Sequence, residues 1–187
     1  MPADAQCQSL FAAQTTLPQR LYVIGDVHGD RGALYELLVD AGVTKDADCT
    51  WTGLNAVVVQ LGDVVDRGPD SEGANACLRN LQATAPPGSV VRLAGNHEVC
   101  WAEGDFRFVS ATETPAVRQR AVRRWIDEVI EGAVVGAHAA GPLLFTHAGF
   151  RPQMLAKLGV GDSDPERLAA RLADVVTTSL GDGVDER

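Results

Sequence analysis

The sequence is poor in several features that would each point to a class of protein. No window approaches the roughly 20 apolar residues that a bilayer-spanning helix needs, and residues 1–20 hold no basic segment followed by an apolar one. Basic residues are scarce: 16 Lys and Arg stand against 25 Asp and Glu, for a net charge of −9. That balance argues against a broad surface gripping a nucleic-acid backbone, although a small phosphate needs only one local cationic site. The four cysteines, Cys7, Cys49, Cys77 and Cys100, form no CxxC pair and no regular spacing. They read as free, mostly buried thiols of a reduced compartment. Internal repeats and low-complexity segments are absent as well. The expectation is a soluble, cytoplasmic protein with neither membrane nor nucleic acid as partner.

At about 150 residues per domain, 187 residues make one domain. A composition of 45% hydrophobic and 22% charged residues is that of a globular chain able to bury a core. Residues 1–18 are small and polar and read as a loose leader, with the domain spanning 20–187. Leu21–Ile24, Ala56–Leu61 and Val90–Leu93 are short apolar runs suited to buried strands. Leu34, Leu37, Leu38 and Ala41, then Ala74, Cys77, Leu78 and Leu81, recur at amphipathic helical spacing between them. A helix is predicted from about Thr114 to Glu131, with Val122, Trp125, Ile126 and Val129 inward. Val134–Val135 and Leu143–Phe145 read as further strands. A last helix carries Leu168, Leu172, Val175 and Val176 on one face. This alternation predicts an α/β fold built from βαβ units, its sheet buried on both faces.

Polar chemistry gathers where the strands end. The four tips are Gly25-Asp26-Val27-His28-Gly29, Gly62-Asp63-Val64-Val65-Asp66-Arg67-Gly68, Gly95-Asn96-His97-Glu98 and Thr146-His147-Ala148-Gly149. Ligands of open α/β sheets bind at the carboxyl ends of the strands. Aspartates, an asparagine and histidines converging there make a mixed oxygen and nitrogen donor set, suited to manganese, iron or zinc rather than calcium. A single GD dipeptide is commonly a turn, and a lone histidine commonly packs or faces solvent. Four such tips in succession, each closing a strand, are hard to produce by turn chemistry alone.

GDVHG, GDVVDRG, GNHE and THAG resemble the ordered motifs of the calcineurin-like metallophosphoesterases, and the DRG and GNHE forms are similar to those of phosphoprotein phosphatases. Trp51-Thr52-Gly53 ahead of the second strand, and Gly95 to Phe108 (GNHEVCWAEGDFRF), resemble the Shewanella-like branch of those phosphatases. The resemblance covers about Leu21 to Phe150. It implies a β-sandwich flanked by helices (αββα) with a dinuclear site at the strand ends. Asp26 and His28 would bind one metal, Asn96 and His147 the other, and Asp63 would bridge them. Arg67, with Asn96, would hold the phosphate, and His97, oriented by Asp66, would protonate the leaving alkoxide. The implied cofactors are two divalent ions (Mn, Fe or Zn, with manganese expected in vitro). The implied activity is hydrolysis of phosphate monoesters by a hydroxide held between the metals, on a phosphoprotein (Ser/Thr or Tyr) or a small phosphomonoester. A dinucleoside polyphosphate hydrolase, or a catalytically impaired remnant acting as a binding module, are the alternative readings. Oligomeric state is not readable.

The family also supplies a further histidine and arginine well downstream of the THAG-like motif, whereas no histidine follows His147 here. The expectation is that the C-terminal strands are missing, that the second metal binds more weakly, and that an apolar sheet edge is exposed. Glu98 reads as a stabiliser of its turn. His138 reads as a turn or surface histidine and not a ligand, and Arg118, Arg120, Arg123 and Arg124 as a solvated helix face rather than a docking site for acidic peptides. Trp101 to Phe108 is either a wall beside the metals or core. Cys100, two residues after Glu98, has possible oxidative sensitivity.

Overall fold

A computed structural model describes residues 20–108, 114–149, 153 and 164–184; the leader reading for 1–18 lies outside the described residues. Four parallel strands, β1 (Arg20–Ile24), β2 (Ala56–Gln60), β3 (Val90–Leu93) and β4 (Val134–Val135), pair in the order β1-β2-β3-β4. The register places Ile24 opposite Gln60, Val59 opposite Val91 and Leu93 opposite Val135. Parallel neighbours need crossover connections. These are α1 (Arg31–Asp40) between β1 and β2, α2 (Ser71–Thr84) between β2 and β3, then α3 (Asn96–Ala102) and α4 (Pro115–Ile130) before β4. Strands β5 (Ala137–Ala140) and β6 (Leu143–Thr146) form a separate antiparallel pair, and α5 (Pro165–Val184) packs on that pair and on α4.

The valine run of β2 explains the sheet's position. Val58 and Val59 point to opposite faces and both are fully buried, so this strand is covered on both sides. Leu34, Leu38, Leu78 and Leu81 of α1 and α2 complete one core with Ile24, Val58 and Val90. Trp125 and Val129 of α4 form a second with Ala102 and Val134. At β1, one edge of the four-stranded sheet, Val23 is 46% exposed. The α/β alternation is as the sequence predicts, with adjustments. His138 lies in β5 and not in a turn, its ring stacked on Phe145. Of the tail-helix residues, Leu168, Leu172 and Val176 are half-buried, whereas Val175 is exposed.

Aspartates start the two helices that leave the strand-end loops. Asp30 accepts the Ala33 N–H at 2.9 Å and Asp70 accepts the Gly73 N–H at 2.8 Å. Each satisfies a donor that the first helical turn leaves free. Thr114 does the same for α4, with Pro115 at the first helical position.

The reading of free cysteines fails for two of them. Cys77 lies on the buried face of α2, and the loop after α1 brings Cys49 beside it, with Cα atoms 5.2 Å apart and the sulfurs bonded. A separation of 28 residues in sequence conceals this, because the β2 crossover brings the two together. Cys100 is free and half-buried. No described helix is long and apolar enough to cross a membrane.

Candidate metal centre

The four tips meet, and the backbones of the first three are in contact before any side chain is considered. The Val27 and His28 N–H groups both donate to the Asp63 carbonyl at 2.9 Å, and the Gly29 N–H donates to Val64 at 2.7 Å. A Cβ on Gly95 would lie 2.2 Å from the Asp63 nitrogen, and one on Gly68 would lie 2.1 Å from the His28 carbonyl oxygen. Only glycine permits that approach. The same loops hold four non-glycine residues in the left-handed region: His28 (φ 48°), Asp63 (54°), Asp66 (72°) and Arg67 (64°). Strain gathered on the candidate site residues is what a functional centre tolerates when its surroundings over-determine it.

Glu98 supplies that surrounding support. Its buried carboxylate accepts N–H bonds from Gly95 (2.9 Å) and Asp63 (2.9 Å) on one oxygen, and from Val64 (2.7 Å) and Val65 (3.2 Å) on the other. Burial pushes this carboxyl upward, while the N–H groups of Asp63, Val64 and Val65 pull it back. The turn-stabilising role read for Glu98 is thus a clamp that joins the β2 and β3 tips.

Asp26, His28, Asp63, Asn96 and His147 are brought together at the strand ends. His28 Nε2 lies 3.7 Å from Asp26 and 4.0 Å from Asp63, and His147 Nε2 lies 3.6 Å from the other Asp63 oxygen. The Asp63 carboxylate therefore faces a histidine with each oxygen. Backbone carbonyls set the histidine tautomers. Val65 accepts from His28 Nδ1 at 3.1 Å and Leu61 accepts from His147 Nδ1 at 2.9 Å, so both Nε2 lone pairs are left for a ligand. His147 Nε2 and the Asn96 Oδ1 stand 2.9 Å apart, a spacing of two acceptors that a shared proton or cation makes favourable. Donor atoms of Asp26, Asp63 and His147 lie within 4.8 Å of one another, as do those of His28, Asp63 and His97. The residues fit divalent metal ions, and Asp63 belongs to both groups.

His97 and Arg67 flank this cluster. The buried His97 ring donates Nδ1–H to Asp66 at 2.6 Å, and its Nε2 accepts from Arg67 at 3.2 Å. Beside them Phe108, half-exposed, lies 5.3 Å from the His97 ring and 6.0 Å from the Arg67 guanidinium carbon, and its carbonyl accepts the Arg67 N–H. The Trp101 to Phe108 stretch divides accordingly: Trp101 is core and Phe108 is wall.

A family model for calcineurin-like phosphoesterases matches residues 19–173. The chain belongs to that family. Among relatives of this calcineurin-like phosphoesterase, Shewanella-like protein phosphatase 2 of Arabidopsis thaliana is 37% identical over 113 residues, 59% of this chain and 29% of the relative. The symmetrical bis(5'-nucleosyl)-tetraphosphatase of an Acidovorax strain is 29% identical over 143 residues, 73% of this chain and 46% of that one. A cold-active protein-tyrosine phosphatase of a psychrophilic Shewanella has the same fold, with a TM-score of 0.58 at 20% identity, covering 76% of this chain and 48% of that chain. The match thus spans less than a third of the Arabidopsis relative and about half of the solved phosphatase.

His138, within the hairpin, joins neither group of donors, and burial lowers its pKa. The arginines of α4 are not all solvated. Arg124 pairs with Glu72 at 2.8 Å and Arg118 stacks over Phe106, while Arg120 and Arg123 are exposed. Sequence reasoning passes over two partners of Asp66. Ser71 accepts its N–H at 3.1 Å, and Trp101 Nε1 donates to its carboxylate at 2.7 Å. The signal for Trp101 was its i,i+4 spacing from His97, which places both on one helical face.

Proposed function

We propose that this chain carries the catalytic half-site of a divalent-metal-dependent phosphomonoesterase acting on phosphoproteins. The observation that carries the reading is the convergence of Asp26, His28, Asp63, Asn96 and His147 beside an arginine and a carboxylate-paired histidine. Asp26, His28 and Asp63 would hold one ion, and Asp63, Asn96 and His147 the other. Such ions supply Lewis acidity and an activated water at neutral pH. The protein's own part follows from the contacts. Arg67, now donating to His97 Nε2, has the planar fork that suits phosphate oxygens. When phosphate draws that guanidinium away, His97 Nε2 is free to carry a proton to the leaving oxygen. Asp66 stabilises the charged imidazole that must precede the transfer. Phe108 stands beside both side chains.

Manganese as the ion in vitro, a monoester and not a nucleic-acid substrate, and a cytoplasmic setting belong to the same proposal. The Cys49–Cys77 bridge weighs against the last of these, since disulfides are rare in reducing compartments. The test is hydrolysis of para-nitrophenyl phosphate and of phosphopeptides by residues 1–187 with added manganese, beside Asp63→Asn and a diadenosine tetraphosphate arm. Metal-dependent turnover of the monoesters that vanishes in the variant supports the reading. Turnover of the tetraphosphate alone transfers it to the nucleotide hydrolases, and a folded, inactive chain refutes catalysis by this chain.

A further inference from the structure

The Asp66 carboxylate is almost wholly buried, at 1% exposure, and its two oxygens have different partners. One accepts His97 Nδ1–H at 2.6 Å and the other accepts the Trp101 indole N–H at 2.7 Å. A buried carboxylate oxygen without a donor is costly, so the indole does more than fill space. It fixes the rotation of the carboxyl plane, and that rotation decides whether the second oxygen meets His97. The Asp66 main chain is held separately from its carboxylate, its carbonyl accepting the Gly68 N–H at 2.7 Å. Its backbone is in the left-handed region (φ 72°), and its N–H is held by Ser71.

Trp101 is itself buried. It is 4% exposed, and Val65, Glu98, Val122 and Trp125 line a space of about 10 Å³ beside it, with the Phe106 ring edge-on at 6.1 Å. Helix α4, through Val122 and Trp125, thereby braces the indole from behind. We infer that Trp101 is a positioning residue for the proposed general acid, holding Asp66 so that His97 directs Nε2 at the leaving group. The inference rests on the reading of His97 as that acid.

The test is Trp101→Phe, which keeps an aromatic ring in the packed site and removes the donor together with part of the indole's volume. Turnover is measured on aryl phosphates ranging from 2,4-dinitrophenyl to phenyl phosphate, with His97→Asn and the double variant alongside. Good leaving groups need no proton and poor ones do. Trp101→Phe should lower kcat on phenyl phosphate about tenfold to hundredfold, within the range general acids contribute. KM and the dinitrophenyl rate should stay within about threefold, a shift that mere loosening of the fold would not select. Added to His97→Asn, it should cost nothing more. In parallel, ¹⁵N NMR of the His97 ring reads the inference without turnover. The native protein should show one Nδ1–H tautomer and the variant a mixture. An equal loss on every leaving group, additivity with His97→Asn, or an unchanged tautomer would overturn the positioning role. If the native chain turns over no aryl phosphate, the phosphatase reading fails by itself, and the tautomer still decides whether Trp101 orients the dyad.

Discussion

Replacing Glu98 by glutamine tests whether one buried carboxylate holds the metal loops together. Its two oxygens accept four backbone N–H groups, two each, from Gly95 and Asp63 on one side and Val64 and Val65 on the other. A carboxamide of the same shape has one oxygen, so whichever way it turns its NH₂ faces two donors. Two buried N–H groups then lose their acceptor, at about 1–3 kcal/mol each. The other two lose the strengthening that a charged acceptor gives. Against this, the neutral amide escapes the burial penalty that raises the Glu98 carboxyl. The donors outnumber that relief, and the expected net loss is about 3 kcal/mol, a large share of the 5–15 kcal/mol typical of a domain. Urea unfolding followed by tryptophan fluorescence measures it. Because either released pair belongs to the loops that carry Asp63 and Asn96, manganese affinity should weaken about tenfold or more even where the variant remains folded. A variant within 1 kcal/mol of the native protein, with unchanged metal affinity, would refute the clamp (about 1 kcal/mol being what one ordinary hydrogen bond contributes).

Reduction of Cys49–Cys77, which closes a loop of 28 residues, should lower stability by about 3.6 kcal/mol on the chain-entropy estimate, read as a drop in Tm of about 10 °C in the Cys49→Ala/Cys77→Ala double variant. Glu128→Gln should cost about 3 kcal/mol in denaturant unfolding, because Arg92, 3% exposed and bonded to Glu128 at 2.7 Å, would be left as a buried charge without its counter-ion. Burial, with Asp105 and Glu103 nearby, raises the Cys100 thiol, so less thiolate is present at neutral pH. Iodoacetamide labelling of Cys100, mapped by mass spectrometry, should therefore be slower than that of a free thiol at pH 7.5 and still climb at pH values where a free thiol has levelled off.

What was legible in the sequence follows from the range of each signal. The alternation of valine runs with helical leucine spacing is local, so the four parallel strands and their crossovers could be read, as could the gathering of Asp26, His28, Asp63, Asn96 and His147 at the strand ends. The disulfide was not legible, since Cys77 reads as one more apolar position on its helix, and only the β2 crossover brings Cys49 to it. The support of the site was hidden for a different reason. Sequence motifs mark the residues of the site, and four of these, His28, Asp63, Asp66 and Arg67, are held at positive φ. Each such conformation costs about 1–3 kcal/mol, and the contacts that offset it come from positions that look structural. Glu98 gathers the backbone of Asp63, Val64 and Val65, Ser71 takes the Asp66 N–H, and Trp101 takes its carboxylate. Two of those three lie on α3, whose first turn also presents Asn96 and His97. This short helix thus offers Asn96 and His97 to the site and the restraint of Glu98 and Trp101 behind it, so a change to its packing on α4 should reach the metal cluster without altering any of the residues that face it.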